Sequence, residues 1–130
     1  MRIPLLLELA AEAIPDRIAI DGVEGRLSYA ALQTRAQAFA AALAGSGAAH
    51  IGYLGVNAPA LPVALFGAAL AGLPFCPLNY RLPDEALRRL AARLAPVLIV
   101  ADAAMADRLG GIDGIEILPR DALWQRTDAG

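Results

Sequence analysis

The chain has 130 residues and none of them is lysine, since all 11 basic residues are arginine. This absence excludes a phosphate-binding loop that ends in Gly-Lys-Ser or Gly-Lys-Thr, in which the lysine contacts the phosphates. It also excludes a Schiff base on a lysine amine. These residues therefore carry no lysine chemistry.

Cysteine and histidine are almost as scarce, with one residue of each, Cys76 and His50. A single cysteine excludes a disulfide framework and a cysteine-based zinc site. A single histidine excludes a multi-histidine metal site. Aromatic residues make up 5% and the net charge is −2, so neither a base-stacking surface nor a general basic field is present. We therefore expect no metal-binding residues and no nucleic-acid partner.

Acidic and basic residues are missing between Arg35 and Arg81, in a chain that is 58% apolar. Residues 58–78 form a nearly continuous apolar stretch of the length that a transmembrane helix needs, about 20 residues. Four prolines interrupt it, namely Pro59, Pro62, Pro74 and Pro77. The proline-free part, 63–73, spans about 16 Å as a helix, against about 30 Å for a hydrocarbon core. The pattern favours a buried helix and no transmembrane segment.

The N-terminal leucines resemble a signal peptide only weakly. The apolar run that starts at Leu5 is short and is interrupted by Glu8, whereas a signal peptide needs a longer apolar region. Leu5, Leu6 and Leu9 recur at helical spacing, which predicts an amphipathic first helix. We therefore expect a cytoplasmic protein.

Short apolar segments alternate with helical patterns along the rest of the chain. The predicted strands are 18–20, 26–27, 51–54, 73–77, 97–100 and 115–117. This alternation is typical of an α/β fold, a mostly parallel sheet with helices on both faces. The first two strands would form a hairpin, and the prolines around 73–77 favour an edge strand or a bend over a central strand. We expect a single domain over 1–130 with a frayed tail at 127–130.

Helix signals lie between these strands. Ser28 is a good N-cap, because its hydroxyl can accept a hydrogen bond from a backbone N–H. The stripe predicted to be buried in the following helix consists of Leu32, Ala36, Phe39 and Leu43. Asp102 is expected to cap a short helix that runs through Leu109. A last helical turn is predicted around Leu123 and Trp124, with Trp124 covering a sheet edge.

Charged residues mark one further helix. Asp84 and Glu85 stand in its first turn, where acidic side chains complement the helix dipole. Each is followed four residues later by an arginine, Arg88 or Arg89. This spacing predicts the ion pairs Asp84–Arg88 and Glu85–Arg89.

Some residues invite a functional interpretation. Cys76 could be a nucleophile and His50 an acid–base group, but no partner that would lower the thiol pKa or pair with the histidine is evident nearby in the sequence. Asn57 follows a strand, where loops of such sheets meet ligands, but asparagine also suits a turn before proline. We favour a structural role for all three.

Two patterns could suggest phosphate binding. Gly45-x-Gly47 imitates a dinucleotide loop, but it follows a helix and precedes a strand, which is the reverse of the required order. Arg88, Arg89 and Arg93 form a small basic face that could touch lipid or CoA phosphate. A solvated helix face that includes acidic residues is the preferred interpretation.

Several segments, in this order and spacing, resemble the N-terminal part of acyl-CoA synthetases. These enzymes belong to the AMP-forming adenylating superfamily, which includes luciferases and peptide-synthetase adenylation domains. The matching segments are IPDRIAI (14–20), LSYAAL (27–32), NAP (57–59), ALAGLPFCPLN (69–79), YRLPDE (80–85) and the strand at 97–100. LNYRL at 78–82 is more similar to the fatty-acid and aryl-acid CoA ligases than to the peptide-synthetase branch.

The resemblance implies an activity for a much longer parent enzyme. There, a carboxylate attacks the α-phosphate of ATP-Mg to give an acyl-adenylate and pyrophosphate, and the thiol of CoA then takes the acyl group. ATP, Mg and CoA are thus implied for the full-length parent. The family's phosphate loop, Thr-Ser-Gly-Thr-Thr-Gly-x-Pro-Lys, its later acidic motifs and its C-terminal lysine do not occur in this chain. We therefore assign no catalytic, cofactor-binding or metal residue here.

The chain is accordingly expected to be the N-terminal subdomain of such an enzyme and to be inactive alone. Its expected partner is the remainder of the parent enzyme. Self-association into a dimer is also expected, through apolar surface that the parent would cover. The alternative is a stand-alone α/β interaction or binding module derived from such an enzyme.

Overall fold

A computed structural model describes residues 3–22, 25–56 and 58–127. In chain order the elements are α1 (Ile3–Ala13), β1 (Ile18–Gly22), β2 (Gly25–Ser28), α2 (Tyr29–Leu43), β3 (His50–Leu54), α3 (Ala60–Leu70), β4 (Phe75–Leu78), α4 (Asp84–Leu94), β5 (Val97–Ala101), α5 (Ala103–Ala106), a 3₁₀ helix (Asp107–Leu109), β6 (Ile115–Pro119) and α6 (Arg120–Thr127). The predicted alternation of strands and helices is confirmed.

The main sheet has four parallel strands in the order β4-β3-β5-β6. The central strand β5 is buried along its whole length, as expected for a parallel strand covered on both faces. β4 lies at an edge and contains Pro77, so the edge position predicted from the prolines is confirmed. β1 and β2 form a separate antiparallel hairpin in which Asp21 pairs with Arg26.

Helices cover both faces of the sheet, as predicted. On one face, α2 and α3 pack on the sheet together with α1 and α6, around residues such as Phe39, Tyr53 and Val63. On the other face, α4 and the 3₁₀ helix enclose a second cluster that includes Leu87 and Leu109. This is the two-layer cover that right-handed crossovers give a parallel sheet.

Helices α2 and α3 make an extensive contact, and this contact depends on a glycine. The predicted stripe on α2 is buried, namely Leu32, Ala36, Phe39 and Leu43. A Cβ placed on Gly67 of α3 would lie 2.5 Å from Cδ2 of Phe39. Gly67 therefore lets the two helices approach. The predicted N-cap of α2 is also confirmed, since Ser28 Oγ accepts from Ala31 N at 3.1 Å.

The apolar stretch that could have suggested a membrane span contains α3. This helix has 11 residues and buries five of them, namely Ala60, Val63, Ala64, Gly67 and Ala68. None of the helices in the described part of the chain is long and apolar enough to cross a membrane.

The first helix forms as predicted, but the side chains that it buries differ from the prediction. Leu7 and Ala11, one turn apart, are buried, whereas Leu5, Leu6 and Leu9 are 42%, 54% and 51% exposed. Leu7 belongs to the apolar cluster that includes residues of α2 and α3, the two helices that α1 contacts. The three leucines thus form an exposed apolar face.

The expectation of a frayed tail from residue 127 is wrong for its first residue. Thr127 is fully buried and ends α6. Its hydroxyl donates to the Leu123 carbonyl at 2.8 Å and accepts from Arg35 Nη1 at 2.9 Å. The same nitrogen donates to the Trp124 carbonyl at 2.9 Å, so α2 holds the end of α6. The rest of the predicted tail, 128–130, lies outside the described residues.

Candidate site at the carboxyl edge of the sheet

The carboxyl ends of the four parallel strands lie in a row. In register, Leu54 of β3 pairs with Leu78 of β4 and with Ala101 of β5, and Ala101 pairs with Pro119 of β6. From β3 the chain passes outward to β4 and then returns across β3 to β5. The crevice between the ends of β3 and β5 is therefore the topological switch point, where open α/β sheets bind their ligands.

The side chain of Asp102 occupies this switch point. Asp102 directly follows β5 and is 8% exposed. Its Oδ2 accepts from Val56 N, after β3, at 3.2 Å, and its Oδ1 lies 2.8 Å from Nε of Arg120, after β6. One carboxylate thus joins the ends of three strands.

The prediction that the Asp102 side chain caps α5 is wrong, although α5 does begin directly after Asp102. The side chain makes no capping hydrogen bond to α5, because Val56 and Arg120 engage it instead. The backbone carbonyl of Asp102 accepts from Met105 N at 2.9 Å and from Ala106 N at 3.1 Å. The helix begins where the sequence predicts, but the carboxylate contacts the loops after β3 and β6 instead of the helix.

Gly55 makes room for this carboxylate. A Cβ on Gly55 would lie 2.5 Å from Asp102 Oδ1 and 2.6 Å from Asp102 Cγ. Any other residue at this position would displace the carboxylate from the crevice. The neighbouring Asn57, considered above as a ligand-facing residue, lies outside the described residues.

A second arginine holds the loop after β4. Arg108 donates from Nε to Asp84 Oδ1 at 2.6 Å, from Nη1 to the Tyr80 carbonyl at 2.7 Å and from Nη2 to the Leu82 carbonyl at 2.6 Å. Its side chain is 21% exposed. The planar guanidinium thereby donates from three nitrogens in a fixed geometry to three groups within five residues of chain.

This arrangement overturns one predicted ion pair and confirms the other. Asp84 pairs with Arg108 rather than with Arg88. Arg88 instead donates from Nη1 to the carbonyls of Arg108 and Gly110, at 3.0 and 2.9 Å, because the 3₁₀ helix and the residue after it lie beside α4. Glu85 and Arg89 pair at 3.1 Å on the exposed face of α4, as predicted.

The remaining residues considered from the sequence do not converge on one site. His50 lies at the start of β3, and its Nδ1 is 2.9 Å from the Leu94 carbonyl, which supports the structural interpretation. Cys76 is a half-buried free thiol in β4. The described residues contain no group of three or more His, Cys, Asp or Glu side chains that could hold a metal ion.

Two of the hollows near this region differ in size. One, of about 110 Å³, lies at the carboxyl edge against Ala103, Pro119 and Arg120. It is smaller than the roughly 300–1,000 Å³ of small-molecule sites. The other, an open cleft of about 440 Å³, lies between the hairpin and α6, beside Arg35 and Trp124. There the guanidinium carbon of Arg35 lies 4.8 Å from the Trp124 ring centroid, so Trp124 packs against α2.

Sequence reasoning missed the two arginines that organise the edge. Arg120 directly follows a strand, as Asp102 does, and a search for charged residues at predicted strand ends would have found that pair. Arg108 carries no comparable signal, because its partners lie 24 to 28 residues earlier in the chain.

Comparison with protein families identifies the class to which this fold and this sheet edge belong. The family of AMP-binding enzymes matches residues 7–125, and the chain belongs to that family. The parallel α/β architecture is that of the N-terminal domain of adenylate-forming enzymes.

Individual relatives within the family differ in what they do. The chain is 38% identical over 91 residues to an indoleacetate–CoA ligase of Aromatoleum aromaticum. This match covers 68% of the chain and 18% of the ligase. It is 32% identical over 111 residues to CymA of Salinispora arenicola, described as a nonribosomal peptide synthetase, covering 83% of this chain and 1% of CymA. Among solved structures, VinN in complex with L-aspartate superimposes with a TM-score of 0.87 at 30% identity, covering 98% of this chain and 34% of the VinN chain. The chain therefore spans a minor part of each relative.

Proposed function

We propose that this chain is the N-terminal structural part of a longer acid–thiol ligase. The complete enzyme would join a carboxylic acid to AMP with release of pyrophosphate and then transfer the acyl group to CoA. The family match over residues 7–125 supports the adenylating step of this proposal. The higher identity to a CoA ligase, 38% against 32% for the peptide synthetase, favours CoA as the acceptor.

In this proposal the chain acts as scaffold. ATP, Mg²⁺ and CoA would be held by other parts of the enzyme. The family's phosphate loop, with its lysine, does not occur in this chain. What these residues contribute is a buried parallel sheet whose strand ends are fixed by Asp102 and Arg108.

Activation of an amino acid without CoA is the second candidate. VinN, which binds L-aspartate, matches almost the whole chain at 30% identity, and CymA matches over 111 residues. A stand-alone interaction module is the third candidate, and the exposed leucines of α1 favour it because they offer an apolar contact surface. A second copy of the chain is the partner that we propose for this surface.

The decisive experiment begins with the native gene around this segment. The complete gene product would be purified and supplied with ATP, Mg²⁺ and a panel of carboxylic acids and amino acids. Pyrophosphate release would be measured first, and CoA thioester by mass spectrometry second. We expect acid-dependent pyrophosphate release followed by a CoA thioester from the complete product, and neither from the 130-residue chain.

Each candidate gives a different result. An adenylate that forms with an amino acid and is not transferred to CoA would replace the ligase by the second candidate. A stop codon directly after Gly130, with a chain that binds a partner and releases no pyrophosphate, would favour the interaction module. Pyrophosphate release by the 130-residue chain itself would contradict the scaffold role.

A further inference from the structure

The segment between β5 and β6 contacts the loops that follow the other three strands of the sheet. We call residues 102–110 the connector. At its start, Asp102 engages Val56, after β3, and Arg120, after β6. Near its end, Arg108 engages the loop after β4 through Tyr80 and other groups.

We propose that Asp102 and Arg108 are positioning residues that make the four loops at the carboxyl edge one preformed unit, coupled through the connector. This edge is where a parallel sheet meets its ligand. This proposal rests on the proposed function only for the identity of the ligand or protein surface that would bind at the carboxyl edge. The coupling itself is a property of this chain.

The connector is short and internally bonded, so a displacement at one end reaches the other. Met105 N and Ala106 N donate to the Asp102 carbonyl, at 2.9 and 3.1 Å, and Gly110 N donates to the Asp107 carbonyl at 3.3 Å. Leu109, which is 1% exposed, anchors the end of the connector in the apolar cluster under α4. Between Asp102 and Leu109 the chain therefore has no freely rotating stretch.

Arg108 both donates hydrogen bonds to the loop after β4 and accepts one from α4. Its guanidinium holds the loop after β4, while its own carbonyl accepts from Arg88 Nη1 at 3.0 Å. Arg88 donates to Gly110 from the same nitrogen, at 2.9 Å. α4 therefore holds the connector while the connector holds the loop that leads into α4. Loss of the guanidinium should release both together.

Hydrogen exchange of the 130-residue chain tests the coupling directly. The amides to follow are Val56 N, which donates to Asp102, and Leu82 N, which donates to the Asn79 carbonyl at 3.1 Å. The variants are Asp102→Asn, which keeps an oxygen for Val56 but removes the charge, and Arg108→Gln. We expect each variant to raise exchange at least tenfold at both amides, including the one in the loop that it does not contact.

Matched controls separate coupling from general destabilisation. Asp113→Asn removes an exposed carboxylate and Arg89→Gln an exposed arginine, and neither should change either amide. Amides of the buried strand β5 report global opening, and they should exchange as slowly in the Asp102 and Arg108 variants as in the wild type. A merely structural role would accelerate β5 as well.

The outcomes are distinct. Acceleration of both loops with β5 unchanged supports the proposal, whereas acceleration confined to the mutated side overturns it. Equal acceleration everywhere, β5 included, also overturns it. If Asp102→Asn does not fold, Arg120→Gln removes the same pair from the other side. No ATP or acid is present, so failure of the proposed reaction leaves this result unchanged.

Discussion

Replacement of Gly67 by alanine tests how closely α2 and α3 pack. The added Cβ would lie 2.5 Å from Cδ2 and 3.0 Å from Cβ of Phe39. Phe39 is 1% exposed, so its ring has no solvent into which it can move. Overpacking costs about 1–3 kcal/mol, and a contact of 2.5 Å with a buried ring belongs to the upper half of that range, about 2–3 kcal/mol. Alanine regains about 1 kcal/mol of helix propensity over glycine. We expect a net loss of about 1–2 kcal/mol in the free energy of unfolding.

Urea unfolding followed by the fluorescence of Trp124, the one tryptophan in the sequence, measures this loss. A second variant identifies its cause. Phe39→Leu removes the ring that the new methyl group would strike, at a cost of its own of about 1–3 kcal/mol. The double variant should therefore lose less than the sum of the two single variants, by at least about 1 kcal/mol.

Additive losses, within about 0.5 kcal/mol, would refute this account of the helix contact. So would a Gly67→Ala protein as stable as the wild type. Gly110→Ala is the control, because the nearest heavy atom to its added Cβ is the Asp107 carbonyl oxygen at 3.6 Å. It should change the free energy of unfolding by less than about 0.5 kcal/mol.

Three further results are expected. Ser28→Ala removes the cap of α2 and should cost about 1 kcal/mol in chemical denaturation, whereas an unchanged midpoint would contradict the capping role. Arg35→Met removes two hydrogen bonds and a ring contact; we expect a loss of about 1–3 kcal/mol and a shifted Trp124 emission, and an unaltered spectrum would count against that contact. Leu6→Glu together with Leu9→Glu should convert a self-associated chain into a monomer by light scattering, and a wild type that is already monomeric at high concentration would rule out the dimer.

Much of the fold can be predicted because its signals are local. The α2 stripe of Leu32, Ala36, Phe39 and Leu43 repeats at helical spacing, and all four residues are buried. The apolar run at 97–100 becomes the buried strand β5. Prolines identify β4 as an edge strand because a proline has no backbone N–H to donate to a neighbouring strand. In each case, residues a few positions apart determine the outcome.

The errors arise where distant residues compete for the same side chain. Asp84 has Arg88 at helical spacing, yet it pairs with Arg108, 24 residues away. An exposed pair at that helical spacing contributes only a few tenths of a kcal/mol, so a guanidinium that also holds two backbone carbonyls can displace it. On α1, spacing alone does not tell which apolar side faces α2 and α3, and the structure buries Leu7 rather than the neighbouring leucines.

The switch point is filled by polar side chains, the carboxylate of Asp102 and the guanidinium of Arg120. Apolar side chains in place of Asp102 and Arg120 would fill the crevice without the free-energy cost of desolvating a carboxylate and a guanidinium. Replacing a buried ion pair in this way is often neutral or stabilising. The pair of Asp102 and Arg120 is therefore poorly explained by stability alone. What the carboxylate provides is direction, because its Oδ2 accepts a hydrogen bond from the backbone N–H of Val56 at 3.2 Å while its Oδ1 lies 2.8 Å from Nε of Arg120. A directional contact selects one arrangement of three loops, whereas an apolar contact tolerates several, and this matters most at an edge that must match another surface.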